Sequence, residues 1–582
     1  MTTPYDARPW LRFYPAAVPP DIDLPSVAVT RLLDDAAARF PRRRAMIFLG
    51  RPISYRKLVK SADKFAHALR SLGVHKGDRV ALILPNSPQH VIAFYGTLRR
   101  GAVVVSNNPL YTAAELHQQL ADSGAKVAVV LDRAYETLVA AMRGTALDYI
   151  IATSLAEYLP APKRLALRLP LKKARAVRAE FAVPLPDDPG LLTFQDVLRR
   201  SRGRHRQVPV DPRRDLAALQ YTAAATGPPK AAMLTHFNLV ANAYQAAAWD
   251  PGAQPGHETT LAILPVFGVF GLTLGLTTPV LGGATIVLVP EFDADTALSA
   301  IRKWRPTVLA CVPLVYRQLA AAARARAAPM SSIRVAVSGA AALPRETADA
   351  FGEVSGGTVV GETYGLTEAS ALALANPLGS PRPGCAGIPL PNTYARIVKE
   401  SDPGRPVPAG QPGELLIYGP QVFQGYWNQP EKTAQVLLGG WLRTGDIAVM
   451  SPDGFFTFID RKRDVIIVDG FDVHPSEVEG VMTTHPAVAE CAVAGITAAQ
   501  RRELVIAYVV PRDRQRVDPR DLIAFCALRL AQYKVPAMIE TRRELPRDML
   551  GRVSRRALRE ERGAGYPVAG RLISGPRPGP RA

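Results

Sequence analysis

The sequence predicts an α/β protein, with a large N-terminal domain of doubly wound sheets plus a β-rich subdomain and a small α+β C-terminal domain. Three observations predict it. Short apolar runs alternate with amphipathic segments from about residue 28 to 155 and again from about residue 215, as expected of parallel strands covered on both faces. After Gly413 and Glu414 the pattern turns β-rich, and a further α/β stretch follows Asp460. The chain has 582 residues, more than one core ordinarily organises.

The elements follow in order. Residues 55–72 read as an amphipathic helix stopped by Gly73. Residues 79–84 and 102–106 read as strands, with a helix over 88–100 between them. Thr112 and Glu115 are spaced as a capping box for a helix running to Ser123, and residues 126–131 form the next strand. Further strands are expected over 285–289, 307–312 and 333–338. In the C-terminal part, 488–494 and 504–510 read as strands and 520–530 as a helix. The expected organisation is an N-terminal extension (1–27), a large domain (28–459), a small domain (460–564) and a Pro/Gly/Arg-rich disordered tail (565–582).

Composition narrows the class. Hydrophobic residues make up 48%, a globular value. The four cysteines, Cys311, Cys385, Cys491 and Cys526, form no CxxC or Cys/His cluster. A disulfide framework or structural metal is therefore not expected, and a reducing, cytoplasmic setting is. The first residues lack an apolar h-region, so no secretory signal is expected. Residues 261–290 carry no charge, but Pro265, Pro279 and several glycines favour a buried core over a membrane span.

The net charge of +20 can attract polyanions such as ATP, CoA or anionic lipid, or it can be a solvated basic surface. No RNP-like strand, zinc finger or basic zipper is present, so nucleic acid is not an expected partner. Between 163 and 178, Lys163, Arg164, Arg168, Lys172, Lys173, Arg175 and Arg178 interleave with Leu165, Leu167, Leu169 and Leu171. This segment suits peripheral contact with an anionic membrane, but Pro170 breaks its period and a basic loop fits as well.

The segment over 221–242, YTAAATGPPKAAMLTHFNLVAN, carries the most chemistry. A small-residue loop, a lysine and a helix can wrap a polyphosphate with backbone N–H groups and one positive charge. By spacing alone it is equally a packed turn. Further on stand Tyr364-Gly365-Leu366-Thr367-Glu368, Gly440-Trp441-Leu442-Arg443-Thr444-Gly445-Asp446 and Asp460-Arg461-Lys462-Arg463-Asp464, with Gly425-Tyr426-Trp427 and Gly470-Phe471.

On these motifs, in this order from about 28 to 560, the chain resembles the adenylate-forming superfamily of acyl-CoA synthetases, luciferases and peptide-synthetase adenylation domains, with fatty and long-chain acyl-CoA synthetases nearest. The resemblance implies ATP, Mg²⁺ and CoA, a hydrophobic carboxylic acid such as a fatty acid, and a mobile C-terminal domain turning about a hinge at Arg463. It implies Thr367, Glu368, Arg552 and Lys230 as catalytic residues, with Glu368 as the metal ligand. Thr222, Thr226, Gly227, Tyr364, Asp446, Arg461, Gly470 and Phe471 would hold cofactor. Gly268, Val269, Phe270, Thr273, Gly339, Ala340 and Gly361 would line the acyl pocket.

Elementary chemistry agrees with several of these roles. Tyr364 offers an aromatic face for adenine, Glu368 a hard oxygen for Mg²⁺, and Asp446 an acceptor for ribose hydroxyls. Taken singly, each has an ordinary alternative: a core tyrosine, a helix-start glutamate, an aspartate in a turn.

Four positions depart from the family pattern. Ala223-Ala224-Ala225 stands where the family has Ser-Gly-Thr; each hydrogen bond lost to a charged group costs roughly 1.5–3 kcal/mol. Ala231 replaces a glycine. Gly268 stands where Pro-x-Phe-His has its histidine, and Arg552 stands where the C-terminal loop has its lysine. Arginine is a planar fork and does not substitute conservatively for a compact ammonium. The departures fall on adenylation. The leading expectation is an acyl-CoA ligase, with adenylation impaired. Beside it stand a non-catalytic relative that binds nucleotide, CoA or acyl ligand, and a partial enzyme that makes thioester from preformed acyl-adenylate.

Overall fold

Runs such as Val127–Leu131 and Val103–Asn107 are buried along their whole length, which is why they are rich in valine, carry no charge and form the interior of a parallel sheet. The computed structural model describes residues 4–563 except 168, 170–180, 187–190, 202–206, 223–228, 400–401, 461–465, 470, 474, 498–502, 513–516, 547–552 and 554. The chain divides into two compact units. One comprises Met1–Pro109, Leu116–Thr222 and Ala231–Asp460; the other comprises Leu110–Glu115, Ala223–Lys230 and Arg461–Ala582.

Three sheets build the first unit. In the seven-stranded sheet the order is Leu192–Thr193, Tyr149–Thr153, Val127–Leu131, Arg79–Ile83, Val103–Asn107, Leu216–Thr222 and Lys230–Thr235. A nine-stranded sheet has a parallel centre: Val360–Tyr364, Val335–Ser338, Val308–Cys311, Thr259–Ala262, Thr285–Leu288 and Arg44–Phe48. Its edges are antiparallel. The third sheet is antiparallel and is built on Tyr394–Lys399, Gly413–Tyr418, Trp441–Met450 and Phe456–Asp460. It starts earlier than the sequence pattern indicates, because Arg396 and Lys399 interrupt the apolar run of its first long strand.

Local signals set the helices. Pro88–Arg99 starts with proline, and the Ser87 hydroxyl accepts from His90 N–H. All twelve of its residues are buried, the mark of a helix covered on every side. Its interior guanidinium, Arg99, is neutralised by Asp34 and by Asp63 at 2.9 Å. Tyr55–Ser71 has the expected amphipathic core face. The uncharged stretch resolves into the strand Thr259–Ala262, short helical turns over Val269–Leu272 and Thr278–Leu281, and the strand Thr285–Leu288. Among the described residues no helix is long and apolar enough to cross a membrane.

The second unit is an α+β body. Val488–Thr497, Glu503–Pro511 and Met538–Thr541 form a sheet in that order, joined by the helices Pro475–Met482, Pro519–Ala527 and Arg555–Gly563 and by the hairpin Ile466–Val468/Phe471–Val473. The helix expected over 520–530 stops at Ala527. The Thr112/Glu115 capping box is present, with Thr112 N–H donating to Glu115 Oε2 at 2.9 Å and Glu115 N–H to Thr112 Oγ1 at 3.4 Å. Of the basic segment, the helix Ala161–Ala166 is described, with Leu165 exposed. Most of residues 168–180 lie outside the described residues.

Candidate functional site

The strand Val360–Tyr364 is the last of the parallel strands in one sheet and Trp441–Met450 runs through another, and their side chains meet. Tyr364 Oη donates to Asp446 Oδ2 at 2.6 Å. One face of the Tyr364 ring lies against Phe458, with centroids 4.3 Å apart at 37°, so a purine can stack only on the other face. Asp446 is 8% exposed. Its amide donates to Thr444 Oγ1 at 3.1 Å, and that hydroxyl donates to Leu415 O at 2.8 Å. On the outer side of the same strand Arg443 donates to Glu414 Oε2 at 2.6 Å. The carboxylate is thus fixed by backbone and neighbours before any ligand arrives, the condition for precise hydrogen bonding to a diol.

Three residues beyond Tyr364, a 3₁₀ turn over Thr367–Ala369 starts with Thr367 and carries Glu368. Glu368 is 1% exposed, and its Oε1 accepts from Tyr426 Oη at 2.6 Å. Phe423 N–H donates to Glu368 O at 2.9 Å. Among the described residues no group of three or more His, Cys, Asp or Glu side chains is arranged to hold a metal ion. The donor set available is a single oriented carboxylate, which fits Mg²⁺ held mainly by phosphate oxygens and water.

Of the expected acyl-pocket residues, Phe270 and Gly339 meet beyond the ends of the parallel strands Thr259–Ala262 and Val335–Ser338. Asn86 ties the turn there: its amide donates to Ala262 O at 3.0 Å and Leu264 O at 2.9 Å, and its oxygen accepts from Val266 N–H at 2.8 Å. Gln220 donates to Phe267 O at 2.9 Å. Gly268 follows with ordinary extended backbone, φ −92° and ψ 147°. The Phe270 ring packs on Gly339: a Cβ built on that glycine would lie 2.7 Å from Phe270 Cζ and 3.1 Å from Thr363 Oγ1.

Ala340 is left-handed, with φ 67°, a strained conformation for alanine. The loop beyond it is anchored by Glu362, whose carboxylate accepts from Leu343 and Gly384 amides at 2.9 and 3.0 Å; burial raises that carboxyl above its ordinary pKa. Gly361 is buried beside Asn376. Thr273 is fully buried and its hydroxyl donates to Ser370 O at 2.8 Å, so it presents no free hydroxyl to a pocket.

The remaining expected residues are spread along the chain. Thr222 ends the strand Leu216–Thr222, and Lys230 opens Lys230–Thr235. In the second unit Phe471 stacks on Tyr533, with centroids 4.6 Å apart. Thr226, Gly227, Arg461, Arg463, Gly470 and Arg552, with the Ala223-Ala224-Ala225 departure, lie outside the described residues.

Sequence reasoning missed Tyr426, Phe458 and Glu362 as supports of the site. Tyr426 had a signal, the Gly425-Tyr426-Trp427 run. Phe458 and Glu362 had none, since a lone aromatic or acid in a strand carries no periodic mark.

Comparison with known proteins identifies the family. A family model described as AMP-binding enzyme matches residues 33–427, and one described as AMP-binding enzyme C-terminal domain matches 477–552. A long-chain-fatty-acid–CoA ligase of Bacillus subtilis (strain 168) is 40% identical over 556 residues, covering 95% of this chain and 98% of that protein. A feruloyl-CoA synthase of an Amycolatopsis species is 34% identical, covering 90% and 96%. Among solved structures, an anthranilate CoA ligase in complex with anthranoyl-AMP superposes with a TM-score of 0.67 at 27% identity, covering 93% of this chain and 98% of that one.

Proposed function

This chain belongs to the AMP-binding enzyme family and by that kinship is an acid–thiol ligase, and from that premise we propose that it joins a long-chain fatty acid to CoA through an acyl-adenylate, with a slowed first half-reaction. The supporting observation is the pair of tyrosine–carboxylate contacts, Tyr364 to Asp446 and Tyr426 to Glu368, each 2.6 Å long. Each phenol orients one carboxylate, Asp446 as the proposed ribose acceptor and Glu368 as the proposed metal ligand. Similarity to fatty-acid–CoA ligases over nearly the whole chain supports the acyl substrate.

In the first half-reaction the fatty carboxylate attacks the α-phosphorus of ATP. An acyl-phosphate bond forms and pyrophosphate leaves. In the second, the CoA thiolate attacks the acyl carbon and AMP leaves. The residues orient and neutralise rather than react covalently. Tyr364 stacks the adenine, Asp446 accepts the ribose hydroxyls, and Thr367 donates to phosphate. Glu368 would hold Mg²⁺, which supplies charge neutralisation on the phosphates when bound. Lys230, Thr222, Thr226 and Gly227 belong to the phosphate loop. Arg461, Gly470 and Phe471 serve the nucleotide from the C-terminal segment, Arg463 is the hinge, and Arg552 stands in for the bridging lysine. Val269, Phe270, Gly339, Ala340 and Gly361 wall the acyl chain.

Slowed adenylation is proposed from Ala223-Ala224-Ala225, Gly268 and Arg552 together. The test measures ATP–pyrophosphate exchange over a panel of fatty acids, and separately CoA-dependent consumption of supplied acyl-AMP. Exchange above background with faster use of acyl-AMP is the expected result. Acyl-AMP use with no exchange would make it a thioester-forming partial enzyme. Nucleotide binding with neither reaction would remove catalysis altogether. Restoring Ala223→Ser, Ala224→Gly, Ala225→Thr and Arg552→Lys together should raise exchange by about two orders of magnitude, from roughly 1.5–3 kcal/mol for even one recovered charged hydrogen bond.

A further inference from the structure

Two buried side-chain amides of the seven-stranded sheet grip one turn of the nine-stranded sheet, and they do so in different ways. The turn over 264–268 follows the strand Thr259–Ala262. It closes on itself, with Gly268 N–H donating to Pro265 O at 3.0 Å. The helix Val269–Leu272 packs so closely on it that a Cβ at Gly271 would collide with Pro265 O. A turn this tight moves as one piece, so its place is set by what holds it from outside. Asn86, just beyond the strand Arg79–Ile83, and Gln220, on the strand Leu216–Thr222, hold it. They are 2% and 3% exposed.

Asn86 uses both ends of its amide on the segment, donating to Ala262 O and Leu264 O and accepting from Val266 N–H, as a structural asparagine does. Gln220 makes one bond to the turn, Nε2 to Phe267 O at 2.9 Å, and its Oε1 is buried with no partner among the described residues. A buried carbonyl without a donor destabilises the fold, and a methionine of similar length would avoid that penalty. A local rule broken in this way marks a position kept for function. The backbone of Gln220 is itself fixed, since it lies opposite Ser106 in the parallel ladder. Gln220 and Thr222 share one face of their strand, two residues and about 7 Å apart. Thr222 is an expected phosphate contact, and Gly268 of the expected acyl pocket directly follows Phe267.

On the ligase reading given above, we propose that Gln220 is a positioning residue for adenylation. By holding Phe267 O it sets the turn over 264–268, with the fatty carboxylate there, against Thr222 and the α-phosphate of ATP. Attack requires the carboxylate oxygen and the phosphorus to approach within about 3–3.5 Å. A small error in that spacing slows the step without weakening either ligand. In the second half-reaction the two groups are already joined, and the spacing no longer limits the rate.

The experiment compares wild type with Gln220→Met, which keeps the length and removes the donor, and with Gln220→Glu, which keeps the shape and presents acceptors only. Each fold is checked by its melting curve. ATP–pyrophosphate exchange is measured with tetradecanoate, and CoA-dependent use of supplied tetradecanoyl-AMP is measured beside it. In both variants the kcat of exchange should fall about three- to tenfold, the worth of one hydrogen bond. The KM values for ATP and tetradecanoate should change little, and acyl-AMP use should stay at the wild-type rate. An equal fall in both reactions would show general loosening and overturn the assignment. Undiminished exchange, a loss carried by KM alone, or variants that do not fold would overturn it too. A further titration does not need turnover: the affinity for α,β-methylene-ATP, whose α–β bridge resists cleavage, is measured with and without tetradecanoate. Wild type should bind the two ligands with a coupling that both variants reduce. A wild type without exchange would end the ligase reading alone. Coupling reduced in the variants would then still uphold Gln220, and coupling absent or unchanged would overturn it.

Discussion

Tyr364 and Asp446 come from different sheets and are 82 residues apart, yet the phenol donates to the carboxylate at 2.6 Å. The contact orients an acceptor that the sequence motif supplies only in kind. Tyr364→Phe keeps the ring and removes the donor from a buried carboxylate. Such a loss costs about 1.5–3 kcal/mol, so the KM for ATP should rise about tenfold or more while the KM for CoA changes little. Steady-state kinetics in each substrate would check it. An unchanged ATP KM would mean that Asp446 needs no orienting partner.

Phe270 and Gly339 share one space. A methyl at 339 would fall 2.7 Å from the Phe270 ring and 3.1 Å from Thr363 Oγ1, so Gly339→Ala must push the ring aside. The acyl-chain preference of Gly339→Ala should shift and its kcat/KM for long acids fall. Phe270→Ala should recover part of that loss, giving a coupling of about 0.5–3 kcal/mol in a double-mutant cycle. Strict additivity in the chain-length profile would place the acyl chain away from this pair.

Acid should weaken the fold through two buried imidazoles. Burial holds both His90 and His236 down to about 4. His90 Nδ1 lies 3.2 Å from Leu84 O. His236 Nδ1 accepts from Val29 N–H at 3.2 Å, with Asp215 and Lys76 acting on the ring in opposite directions. A depressed folded pKa means that the unfolded chain binds protons first. The stability is therefore complete above the ordinary value near 6.5 and is lost as pH falls from there toward 4. The shift is worth at most about 3 kcal/mol per ring. The melting temperature should drop between pH 7 and pH 5, and His236→Gln should flatten part of that drop.

Much of this was legible because it is local. Ser87 and Pro88 start a helix where the sequence says one starts, and Thr112 with Glu115 form the reciprocal cap their spacing implies. Glu368 and Asp446 could be singled out as candidates from the order of their motifs, which the resemblance supplied. Their partners could not be read. Tyr426 reaches Glu368 across 58 residues and Phe458 covers Tyr364 from another strand, and such pairings depend on how the sheets pack. Thr273 shows the same limit from the other side: a hydroxyl that looks available in sequence is spent on Ser370 O.

Gly268 is the proposed departure from the family pattern whose repair the structure makes most direct. Its backbone is in the extended region at φ −92°, which any residue adopts. A Cβ there would meet only Pro265 O, at 3.4 Å, an ordinary contact. No steric or conformational barrier at the first side-chain atom explains why glycine stands at 268, so Gly268→His should fold with a melting temperature within a few degrees of wild type. The preceding turn is fixed by Asn86 and Gln220 through main-chain atoms of Val266 and Phe267. If the missing ring limits adenylation, pyrophosphate exchange should rise about tenfold or more, within the range a positioned polar group contributes, while the use of supplied acyl-AMP stays level. A rise in both reactions would mean that the ring acts on acyl binding rather than on the first step, and no rise in either would transfer the defect to the phosphate loop and Arg552.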